Sequence, residues 1–142
     1  MIEKLNKLLS DLNVFYRKLQ NYHWNVKGHD FFTIHAKLEE YYNEVNEQID
    51  EIAEHILILN GQPLGTMKDY INTSDIEEAK NEKITSQEIF TEVIKDLEKL
   101  LEDVKKIKKC ADENEDYPTS SLMDEYIENY GKKLWMLKQM KQ

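Results

Sequence analysis

The chain has 142 residues, enough for one domain with a real core over residues 1–142, and its charged and apolar fractions are 33% and 40%. With only four glycines and two prolines, the composition favours a mostly helical protein, because strands and tight turns need more glycine and β-branched residues. The formal net charge of −9 repels nucleic acid and anionic membranes and attracts cations.

The chain carries no pattern typical of export or membrane insertion. Its first six residues contain no apolar segment of signal-peptide length, and its longest aliphatic run, residues 56–59, is far too short to span a bilayer. The single cysteine, Cys110, excludes an intrachain disulfide and is expected to be a small buried side chain near a helix end. These features predict a soluble protein of the reducing cytoplasm.

The first predicted element is an amphipathic helix of about seven turns. Its apolar residues recur at steps of three and four from Leu5 to Val26, and it ends before Gly28, because glycine is common just past a helix C-terminus. A second helix is expected to start at Thr33, which would serve as its N-cap, and to stop at residues 60–61.

A long connection follows at residues 62–85 and needs structure of its own inside a compact domain. A short helix capped near Thr66 and running to Tyr70 or Ile71 is expected within it. Residues 72–75 indicate a turn or a further cap.

Two more helices complete the predicted fold. The third begins at residue 85 or 86 and carries apolar residues as far as Lys108. An acidic break at residues 112–116 precedes the fourth, which opens at Pro118 and contains Gly131 as a weak point. Short turns within each pair and a long crossover between helices 2 and 3, itself holding a short helix, predict an all-α four-helix bundle of the kind that ferritin-like folds use.

Candidate metal ligands lie near both ends of the predicted second helix. His23 precedes the first turn and His35 follows it, so an antiparallel hairpin brings the two imidazoles to a similar height. Glu39 lies one turn after His35, and Asp50 and Glu54 are also one turn apart on a shared face. His35 and Asp50 are separated by about 22 Å of helix axis, which no single metal site spans. Either these residues do unrelated work or a second copy of the chain unites them.

A dimer would solve this separation. A two-fold axis crossing the second helix near residues 43–45 would pair the carboxylate end of one chain with the histidine end of the other, which gives two equivalent sites. Mixed imidazole and carboxylate ligation suits Fe(II), and also Zn(II) or Mn(II). The chain has no Glu-x-x-His pair of the usual diiron bundle. Spacing alone leaves plainer interpretations open, because lone histidines commonly pack or face solvent and acidic pairs are commonly solvated.

Several motifs resemble those of the Dps family of mini-ferritins, and the resemblance covers nearly the whole chain. It rests on both the residue types and the spacing of three motifs in order: His-Trp, a single His, and Asp-Glu-x-x-Glu. The segments that carry it are Asn21–Gly28, Phe31–Phe32, His35, Asp50–Glu54, Gly61–Thr66 and Trp135–Leu137.

The resemblance implies a ferritin-like bundle that assembles into a hollow dodecamer, with a ferroxidase site between two-fold-related subunits. By matching positions, His23 and His35 would come from one chain, and Asp50 and Glu54 from its partner. Glu39 stands where the family commonly has Asp, so a longer carboxylate would contact the second, weaker iron position.

Other positions matter for the same comparison. Trp24 falls on a tryptophan that lies near the iron site in the family, with core packing as an equal alternative. His55 stands where many relatives have Arg, and surface packing is expected for it. Ser121 occupies the expected place of an acidic pore residue. The Lys-rich N-terminal extension through which many members bind DNA has no counterpart here, so DNA binding is not expected.

Together these features predict an iron-storage and detoxification mini-ferritin. It would oxidise Fe(II) with hydrogen peroxide or dioxygen and store ferric mineral, which protects against oxidative stress. One of the tyrosines could relay electrons during oxidation, but spacing does not select it. Three alternatives stay open: a nucleoid protein that compacts DNA with little metal chemistry, a helical scaffold with structural histidines, and a site that natively holds Zn(II) or Mn(II).

Overall fold

Four long helices and one short one form the molecule, and this computed structural model describes residues 1–140. The predicted all-α fold is confirmed: two antiparallel helix pairs form a four-helix bundle, and a short helix lies in the crossover between the pairs. The elements are α1 (Ile2–Asn25), β1 (Val26–Lys27), α2 (Phe31–Ile58), α3 (Met67–Thr73), β2 (Ile84–Thr85), α4 (Ser86–Glu113) and α5 (Tyr117–Met140).

The core follows the apolar stripes of the helices. In α1, residues at helical spacing such as Leu5, Leu8, Leu12 and Leu19 are fully buried. Each buried leucine contributes roughly 1.5–3 kcal/mol to folding by leaving water, so α1 is held mainly by its apolar face. Tyr130 of α5 is also completely enclosed. The prediction that Cys110 is buried is wrong, because this free thiol near the end of α4 is only half-buried.

The second helix begins at Phe31 with Asp30 as its N-cap, three residues before Thr33, the predicted N-cap. Asp30 precedes its first turn, and the Ile34 N–H donates to the Asp30 carbonyl at 3.0 Å. The Asp30 carboxylate does not cap α2, because it accepts a 2.6 Å hydrogen bond from the Ser86 hydroxyl at the start of α4. A tertiary contact therefore fixes this helix start, and the turn before α2 is tied to the second helix pair.

The crossover is attached to the bundle at both ends. Its short helix α3 is capped as predicted, with the Thr66 hydroxyl accepting from the Asp69 N–H at 3.2 Å. At its far end, β2 pairs in parallel with β1, and Thr85 and Glu88 form a capping box at the start of α4. The β1–β2 bridge holds the end of α1 and the turn into α2 beside the start of α4.

The third and fourth long helices, α4 and α5, also differ slightly from the predicted bounds. α4 continues to Glu113, five residues beyond Lys108, and Glu115 then takes a left-handed backbone conformation with φ of 55°. α5 begins at Tyr117, so Pro118 lies in its first turn, where a missing N–H has no cost. Within residues 1–140, no helix has the length and apolar character needed to cross a membrane.

Candidate metal centre

Two stacked imidazoles form the centre of the candidate site. His23 lies in the last turn of α1 and His35 in the second turn of α2, and the antiparallel hairpin brings them face to face. Their ring centroids are 3.7 Å apart, and their planes differ by 11°. The structure therefore unites the two histidines that lie twelve residues apart in the sequence.

Reciprocal hydrogen bonds to the backbone fix both rings. His23 Nδ1 lies 2.6 Å from the carbonyl oxygen of His35, and His35 Nδ1 lies 2.7 Å from the carbonyl oxygen of His23. Because a carbonyl oxygen can only accept, each Nδ1 carries the hydrogen and donates it. In each neutral ring the Nε2 lone pair is then available, which is the arrangement that metal-binding histidines commonly use.

Aromatic side chains enclose the histidine pair. Phe31 stacks on His35 with ring centroids 4.8 Å apart, and Tyr42 meets His23 edge-on at 5.3 Å. The result is that His23 is only 6% exposed, while His35 is half-buried. The Oε1 atom of Glu39 lies 3.6 Å from His23 Nε2, so a carboxylate stands at the open side of the pair.

The other two predicted ligands lie apart from this cluster. Asp50 and Glu54 are exposed on the second half of α2, and roughly 22 Å of helix axis separates Asp50 from His35. Within residues 1–140, no group of three or more His, Cys, Asp or Glu side chains is arranged to hold a metal ion. The single chain stacks His23 on His35, places the Glu39 carboxylate 3.6 Å from His23 Nε2, and leaves Asp50 and Glu54 exposed.

The expectation of surface packing for His55 is wrong. This side chain is buried, and its Nε2 atom lies 2.7 Å from the Thr119 hydroxyl oxygen. Thr119 donates its hydroxyl hydrogen to Asp116 at 2.6 Å, so His55 Nε2 donates to Thr119. His55 therefore connects α2 to the first turn of α5. Core packing as the role of Trp24 is also ruled out within the chain, because Trp24 is 55% exposed.

Acidic residues near the start of α5 take part in polar contacts with neighbouring side chains. Lys108 donates to the Ser120 hydroxyl at 2.7 Å and lies 3.0 Å from a carboxylate oxygen of Asp124. Ser120 in turn donates to Asp112 at 2.5 Å. Ser121 is exposed beside them. Lys108 thus partly neutralises the carboxylates at this end of the bundle, and the Ser120 hydroxyl adds a hydrogen bond to Asp112.

Sequence reasoning missed a second carboxylate group, which lies inside the bundle. Asp11 of α1 and Asp103 of α4 are almost completely buried, and one oxygen of each has no hydrogen-bond partner within residues 1–140. Lys99 lies 2.8 Å from the other oxygen of Asp103. Burial, and next the neighbouring Asp11 carboxyl, raises the pKa of Asp103 to about 8. The signal was present in the sequence, since both aspartates interrupt apolar helix stripes.

Comparison with known proteins adds the family context. The family model described as a ferritin-like domain matches residues 2–142. General stress protein 20U of Bacillus subtilis is 41% identical over 138 residues, which cover 97% of this chain and 94% of that protein. DNA protection during starvation protein 2 of Bacillus anthracis is 42% identical over 138 residues, with the same two coverages.

A solved structure agrees with these sequence relationships. The Dps protein of Vibrio cholerae O1 is described as a member of a broad superfamily of ferritin-like diiron-carboxylate proteins. It superposes on this chain with a TM-score of 0.95 at 35% identity, and the match covers 98% of this chain and 87% of that one.

Proposed function

Because this chain belongs to the Dps family of ferritin-like proteins, we propose that it binds Fe(II), oxidises it with hydrogen peroxide or dioxygen, and stores the ferric product as a mineral. Removing Fe(II) together with peroxide limits hydroxyl-radical formation, so the proposed role includes protection against oxidative stress. The observation that carries the proposal is the histidine pair, whose backbone hydrogen bonds leave both Nε2 lone pairs available to a metal.

The proposed ligands have complementary chemistry. His23 and His35 are borderline ligands that suit Fe(II), while the carboxylates of Glu39, Asp50 and Glu54 are hard ligands that stabilise Fe(III) as it forms. Zn(II) or Mn(II) could occupy the same set and would compete with Fe(II). Neutral imidazoles are required for binding, so Fe(II) affinity is expected to fall in acid.

We propose that the complete site forms between two copies of the chain. The geometry supports this, because His23 and His35 lie at one end of α2, whereas Asp50 and Glu54 are exposed near the other end. An antiparallel pairing of α2 with its copy would bring the histidine end of each chain beside the carboxylate end of the other. The dimer would then contain two complete sites. Such dimers would then build the dodecameric shell that encloses the mineral, in the cytoplasm.

Mixing two inactive variants tests the site directly. One variant carries His23→Ala and His35→Ala, and the other carries Asp50→Ala and Glu54→Ala. Each alone is expected to lose Fe(II) oxidation by hydrogen peroxide. When the two are co-expressed, random pairing of the chains yields about a quarter of the sites complete, because each mixed dimer contains one intact site. Activity is measured by stopped-flow absorbance and assembly by size-exclusion chromatography.

The outcomes distinguish a site formed between two chains from a site formed within one chain. Recovery of roughly a quarter of the wild-type rate supports an inter-subunit site. No recovery in mixed dimers contradicts it, because a site within one chain cannot be complemented. A monomer that consumes no Fe(II) would reject the proposal altogether. Unchanged oxidation in both variants would instead favour the helical scaffold with structural histidines.

DNA compaction is the alternative function that the names of some relatives suggest. The formal net charge of −9 argues against it, because a protein must neutralise phosphates to bind DNA. A gel-shift experiment with linear DNA at low salt distinguishes the two functions. We expect no shift at protein concentrations that oxidise Fe(II) fully.

A further inference from the structure

Two tyrosines extend the aromatic contacts of the histidine pair into the bundle. The Tyr42 ring meets His23 edge-on, with centroids 5.3 Å apart and planes at 81°. The Tyr16 ring meets Tyr42 in the same way at 5.9 Å and 87°. Gln20 donates a 3.2 Å hydrogen bond to the Tyr16 hydroxyl oxygen. A continuous row of three rings thus leads from a proposed iron ligand along the α1–α2 interface.

When a site holds only one Fe(II), the proposed reduction of hydrogen peroxide lacks one electron. Hydrogen peroxide needs two electrons to become two waters, whereas one Fe(II) supplies one. Without a second donor, breaking the O–O bond with one electron releases a hydroxyl radical. A donor in contact with the site would prevent this release.

We propose that Tyr42 supplies the second electron through His23 and that Tyr16 then passes an electron to Tyr42. The inference rests on the proposed function. In the first step the O–O bond of peroxide and the phenol O–H bond of Tyr42 break. Fe(II) becomes Fe(III), Tyr42 becomes a neutral radical, and the phenol proton with one solvent proton completes two waters. In the second step Tyr16 loses an electron and a proton, and Tyr42 regains both.

The neighbouring aromatic side chains fit this role less well. Phe31 stacks on His35 but has no phenol, so it is far harder to oxidise. Within residues 1–140, the Trp24 ring makes no aromatic contact with either histidine, whose ring neighbours are each other, Phe31 and Tyr42. Tyr42 and Tyr16 are both partly buried and in contact with each other. Tyr42 is therefore a relay residue that acts through His23 and not a metal ligand.

A radical assay tests the relay. Wild-type protein is loaded without oxygen with less than one Fe(II) per site, mixed with hydrogen peroxide and frozen for electron paramagnetic resonance. We expect a tyrosyl radical whose lines narrow when the protein contains deuterated tyrosine. Tyr42→Phe is expected to abolish this signal, and Tyr16→Phe to leave a shorter-lived radical on Tyr42. With two or more Fe(II) per site, iron supplies both electrons and the radical should be nearly absent.

The variants are mild and have a matched control. Tyr42→Phe removes only a hydroxyl, which makes no hydrogen bond to another of residues 1–140. Tyr117→Phe changes an exposed tyrosine at the start of α5 and should keep the wild-type radical. Oxidation of excess Fe(II) should stay at the wild-type rate in Tyr117→Phe, since this residue belongs neither to the proposed ligands nor to the row of rings.

The possible outcomes distinguish failure of the tyrosine relay from failure of the proposed Fe(II) oxidation on which it rests. A wild-type radical signal that persists in Tyr42→Phe overturns the relay, as does a tryptophan radical in the wild type. Rapid Fe(II) oxidation without any protein radical also overturns the relay but leaves the proposed function standing. A wild-type protein that consumes no Fe(II) with peroxide overturns both.

Discussion

Two groups of carboxylates in this chain have opposite surroundings. Asp50 and Glu54 lie on the outer face of α2, exposed and without an ion-pair partner among residues 1–140. Asp11 and Asp103 lie between α1 and α4, where Lys99 and a proton on Asp103 offset their charge. Within the part that the structure describes, the single chain supplies no counter-charge to the first group, whereas it offsets the charge of the second.

The difference shows where this bundle has room for a metal. Diiron bundles commonly hold their metals in the core, between carboxylates of facing helices. Here lysines occupy that region: Lys99 pairs with Asp103, and Lys18 pairs with Asp96 at 2.9 Å, both side chains of this second pair being buried. A metal cation has no advantage where ammonium groups already neutralise the acids. Iron chemistry is therefore proposed for the α2 face, which a second chain can complete.

The largest expected effect distinguishes the two groups by activity. Asp50→Ala together with Glu54→Ala should lower the rate of Fe(II) oxidation by about 100-fold or more, because even loss of a residue that only supports a ligand costs 10–100-fold. Asp103→Asn should leave the rate within about twofold of wild type, because this residue lies in the interior group. Peroxide-dependent absorbance at equal subunit concentration measures both. Equal losses in the two variants would remove the distinction between the groups.

The next effect concerns stability. Lys99→Met removes the cation beside the buried Asp11–Asp103 pair, which keeps one negative charge when Asp103 is protonated. The free energy of unfolding should fall by about 3 kcal/mol, because an uncompensated buried charge is costly. Lys106→Met provides the matched control, since the exposed Lys106–Glu102 pair on the same helix contributes less than about 1 kcal/mol. Urea unfolding followed by circular dichroism measures both. Equal losses would show that the interior pair behaves like a surface pair.

The interior group also predicts a pH dependence. The pKa of Asp103 is raised to about 8, so the folded chain keeps a proton that the unfolded chain releases near pH 4. The free energy of unfolding should therefore fall as pH rises between these values, by up to about 1.4 kcal/mol per pH unit. Burial likewise raises the pKa of Asp96 to about 6, so the slope between pH 6 and 8 belongs to Asp103.

Replacement of Asp103 by asparagine isolates that slope. A carboxamide side chain cannot titrate, so the stability of the Asp103→Asn variant should be nearly constant between pH 6 and 8 while wild type loses stability. Urea midpoints at several pH values between 6 and 8 give the comparison. A wild-type protein with constant stability over this range would show that Asp103 is ionised in the folded state.

The sequence predicted the helices and the histidine pair because both follow from local patterns. Apolar spacing located α1, and a short antiparallel turn required His23 and His35 to lie at one height. The start of α2 was misplaced because the Asp30 carboxylate bonds Ser86, far away in the sequence. The burial of His55 was not predicted from the sequence for the same reason, since its hydrogen-bond partner Thr119 lies on α5. The helical spacing of apolar residues does not indicate contacts between segments that are distant in the sequence.

The smallest expected effect lies within the outer group. Glu39→Gln should weaken binding of the second Fe(II) by about fivefold, or roughly 1 kcal/mol, because the Glu39 carboxylate is 54% exposed and its charge is screened by water. Glu40→Gln on the same helix is the control, since Glu40 pairs with Lys37 at 3.1 Å instead of approaching His23. Oxygen-free Fe(II) titration separates the first binding step from the second. If Glu39→Gln leaves binding of the second Fe(II) unchanged, Glu39 is a solvated residue of α2 and not a ligand. His23 and His35 would then be the only ligands that this end of the chain contributes to the site.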